Sequence, residues 1–383
     1  MRHRYYFVFL QQTANTASKA MLRKIQTIIT ATESGTTESM CRSILSQAAI
    51  DGVIKIAFFN LPATAGEYLH DNELLRSIVK EHYTALTPLV SYIAQKTASG
   101  TLTAEITCLA ESGCTIERKK RCMLIKKGGS TEIISEGILP ADITASTFAQ
   151  ASSIFSTIGS ILKENGFQPC NIYRQWNYIE GITELNNGSQ NYQEFNDARS
   201  IFYSSCNWSN GYPAATGIGT SRGGVMIEFY AAKGNDGTNL PIDNPMQIAA
   251  HSYSQNVLDG KVMKELSERT TPKFERARIA GNTIYISGTA AIKGEKSTKS
   301  LSTVEQAACT MEIMDNLISK ENIPVANNGS QYDILRIYVK NEQEIPAVHA
   351  FMEEHYPAIP KHCLVADICR PELLIEIEGA AHV

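Results

Sequence analysis

The sequence predicts a mixed α/β fold containing an internal duplication. Three observations predict it. Apolar residues recur at helical spacing in some segments and alternate at strand spacing in others. The order helix, strand, helix, strand occurs twice, the copies about 150 residues apart, which marks a duplicated domain rather than a solenoid. The composition, 43% hydrophobic and 19% charged over 383 residues, is that of a folded chain and not of a disordered tail or a coiled coil. Such a length corresponds to two or three domains with a sizeable core. Lys and Arg number 35 against 39 Asp and Glu, for a net charge of −4 and a pI near 6.1. That balance argues against nucleic acid as the main partner, because phosphate binding needs clustered cations. The short basic run from Glu117 to Arg121 reads as a solvated strand or turn.

Taken in order, residues 1–10 read as a first β-strand, since the apolar stretch is too short for a secretory core and no small-residue cleavage site follows. Strands are expected at 53–59 and 102–109, and a hairpin at Gly128 and Gly129. Residues 71–96 carry Leu74, Leu75, Ile78, Val79, Tyr83, Leu86 and Val90 on one helical face, with Pro88 a kink or break. The first clear copy then begins. Ala151, Ile154, Phe155, Ile158, Ile161 and Leu162 line a helix that Gly166 stops, followed by a strand at 172–179, a helix at 192–204 and a strand at 225–231. In the second copy, a strand at 283–287 precedes a helix opened by a capping box of Thr303 and Gln306; a strand at 334–339, a helix at 344–355 and a strand at 373–379 follow. Linker signals lie at 233–238 and 241–245, giving domains 1–240, with extra N-terminal elements, and 241–383.

No apolar run approaches the roughly 18 residues of a membrane helix. Nine cysteines without a CxxC spacing fit free thiols in a reducing cytoplasm, the expected location. No histidine spacing resembles a metal site; His355, His362 and Cys363 do not form one. The sequons at Asn187, Asn207 and Asn328 read as chance in such a chain.

Several residues can do chemistry. The glycine run 217–224 resembles a phosphate loop, but it leads into a strand rather than a helix, so a bend before a strand is the better reading. Glu376 and Glu378 lie two apart on one strand and share a face, flanked by Leu374, Ile375 and Ile377. A carboxylate there is either ion-paired or a functional acid with a raised pKa, and the residues alone leave both open. Arg370, Arg174, Arg199 and Arg222 offer forks for a carboxylate. Trp176, Tyr178, Tyr192 and Tyr212 wall a pocket or fill a core.

The run Asp367-Ile368-Cys369-Arg370-Pro371-Glu372 through Glu376-Ile377-Glu378-Gly379 resembles the C-terminus of chorismatases. So do Arg174-Gln175-Trp176-Asn177-Tyr178, Tyr192-Gln193-Glu194-Phe195-Asn196-Asp197-Ala198-Arg199, Tyr212-Pro213-Ala214-Ala215-Thr216-Gly217, and Ser287-Gly288-Thr289-Ala290-Ala291, in the family's order over 174–379. The resemblance implies an α+β architecture of duplicated YjgF/RidA-like (chorismate-mutase-like) units, helices packed on one face of a mixed sheet. It implies removal of pyruvate from chorismate without metal or cofactor, with Glu376 as the acid that protonates the enolpyruvyl methylene. Tyr192 and Arg199 match positions that hold substrate; Arg370, Tyr212 and Tyr253 are placed by proximity to the motifs. Chorismate is the expected partner, with no nucleic acid or membrane, and the chain is expected as a monomer or small homo-oligomer.

Two markers of product conflict. Cys369 matches the 3-hydroxybenzoate-forming branch, where a thiol moves a proton or excludes water. Ala290 matches the hydrolytic branch, which yields a dihydroxycyclohexadiene carboxylate. Cys369 weighs more because it adds a reactive group, and 3-hydroxybenzoate is the leading expectation. His349 aligns with Arg199 in the second copy, with Lys340 as a compensating cation. A non-catalytic RidA-like binding module is the alternative from another class, and a RidA-like imine deaminase a third reading.

Overall fold

The computed structural model describes residues 22–110, 112–186, 188–234, 239–263, 266–298, 301–323 and 329–383. The expected strand at 1–10, the sequons at Asn187 and Asn328 and most of the 233–238 linker lie outside them. Three mixed sheets share one plan. In the first, β1 (Lys24–Thr30), α1 (Thr37–Leu45), β2 (Val53–Asn60), α2 (Ala65–His82), β3 (Leu89–Ala94) and β4 (Thr103–Leu109) give the strand order β1-β4-β2-β3. The second runs β5 (Thr115–Arg118), β6 (Cys122–Lys127), β7 (Ser130–Ser135), α3 (Thr147–Glu164), β8 (Ile172–Glu180), α4 (Asn191–Tyr203), β9 (Ala214–Thr220) and β10 (Val225–Lys233), in the order β5-β6-β7-β10-β8-β9. The third repeats that order with β11 (Asn239–Ile242), β12 (Ala277–Ala280), β13 (Thr283–Thr289), α5 (Thr303–Leu317), β14 (Gln331–Val339), α6 (Ile345–His355), β15 (Lys361–Val365) and β16 (Ile375–His382). The duplicated α+β unit is therefore present, and a third copy of its core, without the leading hairpin, precedes it. Sequence reading had treated that part of 1–240 as extra elements.

The first copy was not legible as a repeat, for a definite reason. Its second helix ends at His82, and Pro88 precedes a buried parallel strand instead of kinking a longer helix. The strands expected at 53–59 and 102–109 are present as β2 and β4. Elsewhere boundaries moved slightly. The capping box of α5 is Ser302 with Glu305, one residue before the expected pair. Pro241, expected in a linker, lies in the edge strand β11. Of the glycine run, Gly217 and Gly219 lie within β9, and the bend falls at Gly223 and Gly224, both at positive φ.

Each sheet packs its helices on one face, around Ile44 and Leu75, Ile154 and Phe195, and Met311 and Val348 in turn. The helix-free faces meet in a shared core containing Phe59, Trp176, Tyr178, Tyr230, Tyr285 and Tyr338. Ion pairs close this core cyclically. Lys55 of the first unit pairs with Glu228 of the second at 3.1 Å, Arg174 of the second with Glu378 of the third, and Arg336 of the third with Glu105 of the first at 2.7 Å. The three glutamates are equivalent in register, opposite Ala57, Trp176 and Arg336 on the central strands. All are under 4% exposed, so each charge depends on its partner from the neighbouring unit.

Candidate active site

Two residues before each of these glutamates, the register sets Thr103 opposite Phe59, Met226 opposite Tyr178, and Glu376 opposite Tyr338. These three positions face three quasi-equivalent seams between units. Between the first and second units, Tyr68 stacks on Tyr92 with ring centroids 5.3 Å apart and directs its hydroxyl at the Met226 sulfur, filling the seam. Thr103 meets Thr30 of its own sheet at 3.2 Å. Between the second and third, Gly217 stands where register puts Tyr92 in the first unit, and the Tyr192 ring lies against its bare backbone. A cleft of about 760 Å³, counted to its open mouth, remains there.

Tyr192, Tyr253, Ala290, Cys369, Arg370 and Glu376, all expected from sequence, line this cleft. Arg199 and Tyr212 do not. Arg199 sits a turn further along α4, buried beside Phe195, and donates to Asn196, which does line the cleft. Tyr212 stacks instead on Tyr203 and Trp208, outside the cleft lining. Lys340 is engaged by Asp367 at 3.1 Å, and His349 is exposed beside Glu353.

Sequence reading missed the roof. The long connection 243–276 between β11 and β12 supplies Tyr253, Asp259, Phe274 and Arg276, where the matching connection between β5 and β6 is a short turn. Its length without regular strand or helix was the available signal. Thr270 ties it to the floor, donating to Asp197 at 2.6 Å and accepting from Gln193 at 2.8 Å. Arg276 is 3% exposed; one guanidinium nitrogen donates to the Tyr253 hydroxyl and the Ile248 carbonyl, and Nε has no partner. Arg370 lies over the Tyr253 ring at 5.3 Å and donates to Ser297 and the Glu295 carbonyl. The cleft thus holds two guanidiniums beside aromatic faces.

The two carboxylates of β16 differ sharply. Glu378 accepts from Arg174, Arg336, Thr216 and Tyr338. Glu376 has no hydrogen bond or ion pair among the described residues; burial first, and the Glu378 charge second, push its pKa up to about 8 against the pull of Arg174. It is the protonated form that is stable there at neutral pH. Burial, then the adjacent Glu376, push the Cys369 thiol up to about 12, so this cysteine is a thiol and not a thiolate. Such a site can give a proton to a bound anion and hold carboxylates, with no covalent nucleophile prepared. Among the described residues no cluster of His, Cys, Asp and Glu suits a metal ion, and no helix is long and apolar enough to cross a membrane.

Comparison with known proteins agrees with this geometry. Residues 116–231 match the family model for the N-terminal domain of FkbO/Hyg5-like chorismatases. A 3-hydroxybenzoate synthase from Streptomyces hygroscopicus is 28% identical over 233 residues, covering 59% of this chain and 67% of that protein. A chorismatase from Streptomyces rapamycinicus is 29% identical over 253 residues, 61% of this chain and 69% of that one. A chorismatase crystal structure superposes with a TM-score of 0.69 at 18% identity, over 94% of this chain and 98% of the other. Residues 116–231 therefore match the N-terminal domain of FkbO/Hyg5-like chorismatases, and the chain as a whole has the fold of a chorismatase.

Proposed function

We propose that this protein removes pyruvate from chorismate, most readily giving 3-hydroxybenzoate, with Glu376 as general acid. The observation that carries the reading is the unpaired, buried carboxyl of Glu376 in a cleft that also presents Arg276 and Arg370. In this reading the arginines take the two substrate carboxylates, bidentate contacts that fix the enolpyruvyl group against the acid. Glu376 gives its proton to the methylene carbon, forming an oxocarbenium centre and a carboxylate at the same place. The new negative charge stabilises the new positive one in a site with little water. Arg199 acts through Asn196 rather than by contact.

The product then depends on what captures the oxocarbenium. If the neighbouring ring hydroxyl reacts, pyruvate and 3-hydroxybenzoate together account for all atoms of chorismate. If water reacts, the products are pyruvate and the dihydroxycyclohexadiene carboxylate. Cys369 beside the acid supports the first course, as an un-ionised thiol able to pass a proton or fill the place of a water. Ala290 on the opposite wall favours the second. The test is incubation with chorismate followed by chromatography with mass detection. A 3-hydroxybenzoate peak with equimolar pyruvate is expected, lost in Glu376→Gln; a diene acid in its place reverses the product assignment. Thermal stabilisation by chorismate without pyruvate release would instead make the protein a binding module.

A further inference from the structure

The ion pair behind the acid has a role beyond holding two units together. Glu378 shares the inward face of β16 with Glu376 and is fully buried, as are its partners Arg174 and Tyr338; Arg336 is nearly so. Its carboxylate is gripped from three strands: by Arg174 on β8, by Arg336 and Tyr338 on β14, and by Thr216 on β9. Thr216 also accepts from Arg174 at 2.9 Å and from the Gly288 amide at 3.1 Å. Gly288 in turn abuts the Glu376 carboxyl so closely that a methyl on it would overlap Oε1. One hydrogen-bonded path therefore runs from the Glu378 carboxylate through Thr216 to the peptide lying against the acid. The equivalent glutamates Glu105 and Glu228 stand two residues from a threonine and a methionine, so only in the third unit does the ring of ion pairs adjoin a second carboxyl.

We propose that Glu378 is a positioning residue for the acid: its carboxylate, held by Arg336, Tyr338 and Arg174, keeps the proton on Glu376, and Thr216 fixes the Gly288 wall against it. This rests on reading Glu376 as the proton donor. The other titratable or charged groups around Glu376 are Tyr338 across the strand pair, Cys369 and Arg370 from the segment before β16, Tyr192 from α4, and Tyr253, Asp259 and Arg276 from the roof. Of these, burial raises the pKa of Tyr192, Tyr338 and Cys369, and Arg276 and Arg370 are engaged with Tyr253, Ser297 and backbone carbonyls. Glu378 is the carboxylate that shares a strand face with Glu376, whereas Asp259 belongs to the roof, and Arg174 is the cation paired with Glu378.

The sign of the effect separates tuning from mere support. In Glu378→Gln the anion is gone while an amide of the same shape remains, and Glu376 should release its proton about one pH unit or more lower. In Arg174→Met the anion remains on Arg336 and Tyr338, and release should move to higher pH. Two readouts follow the acid. One is the infrared titration of the Glu376 carboxyl, taken as the difference between each protein and its Glu376→Gln counterpart, without substrate. The other is the alkaline limb of pyruvate release from chorismate. Opposite shifts in the two variants establish the inference; no shift, or shifts of one sign in both, overturn it. Should either variant fail to fold by circular dichroism, the sign found in the other decides. A wild type that titrates as described yet releases no pyruvate refutes the chorismate reading and leaves the inference standing; a wild type that turns over chorismate with unchanged limbs in the variants does the reverse.

Discussion

Gly288 carries no side chain at the place where a methyl group would overlap the carboxyl of Glu376, and its φ lies outside the left-handed region. The residue is needed for space and not for backbone freedom. Gly288→Ala should therefore fold as the wild type does while pushing the acid out of line. Turnover should fall by roughly a hundredfold, the cost of displacing a reacting group by about an ångström. Parallel thermal melts and kcat measurements check this; a variant of full activity would show that Glu376 need not sit where it does.

Burial holds a proton on Glu376 up to about pH 8, against a carboxyl value of 4.5 without that environment. Activity that needs this proton should be constant at neutral pH and decline above about 8. Stability follows the same group. The folded state binds a proton that the unfolded state has released, so the advantage is fully present below pH 4.5 and is lost as pH rises to about 8. Removing the titratable group in Glu376→Gln should flatten that dependence, and its melting temperature relative to wild type should rise by a few degrees between pH 5 and 8. Calorimetry across that range is the check.

Arg276 lines the cleft with an Nε that has no hydrogen-bond partner among the described residues. If it holds a substrate carboxylate, Arg276→Met should raise KM tenfold or more, since truncating one partner of a buried charge pair costs about 2–5 kcal/mol. Arg276→Lys should recover part of the loss, a lysine being a point charge without the fork. Equal losses in kcat and in kcat/KM, with KM unchanged, would contradict the assignment.

Lys55 and Glu228 form the link of the ring most remote in register from the acid, and both are buried. Lys55→Met leaves Glu228 charged without its cation and should cost about 3–5 kcal/mol in denaturant unfolding. Adding Glu228→Leu should restore most of it, because an apolar pair needs no compensation. A single variant as stable as the double would show that the pair contributes nothing to joining the units.

The sequence by itself determined the α+β unit, its duplication and the identity of the acid strand. Those properties depend on local periodicity: Ile154, Phe155 and Ile158 repeat at helical spacing, and Glu376 and Glu378 share a face because side chains alternate along a strand. Motif order added the resemblance to chorismatases. Of the first copy, β2 and β4 were legible, but the helical reading of 71–96 merged the end of α2 with the buried strand β3 and so hid the repeat. Only the tertiary structure decided between the two carboxylates. Arg174 and Arg336 come from other strands and satisfy Glu378, while among the described residues none hydrogen-bonds or ion-pairs with Glu376. It also decided which seam is a site. Gly217 and Tyr92 occupy equivalent register positions far apart in sequence, and whether a cleft stays open depends on the absence of a ring at one of them. Arg276 belongs to the same class, a buried cation brought over the acid by a long connection whose path no local pattern encodes. Pairing across sheets and the burial that shifts a pKa depend on the whole chain at once, and no window of sequence contains them.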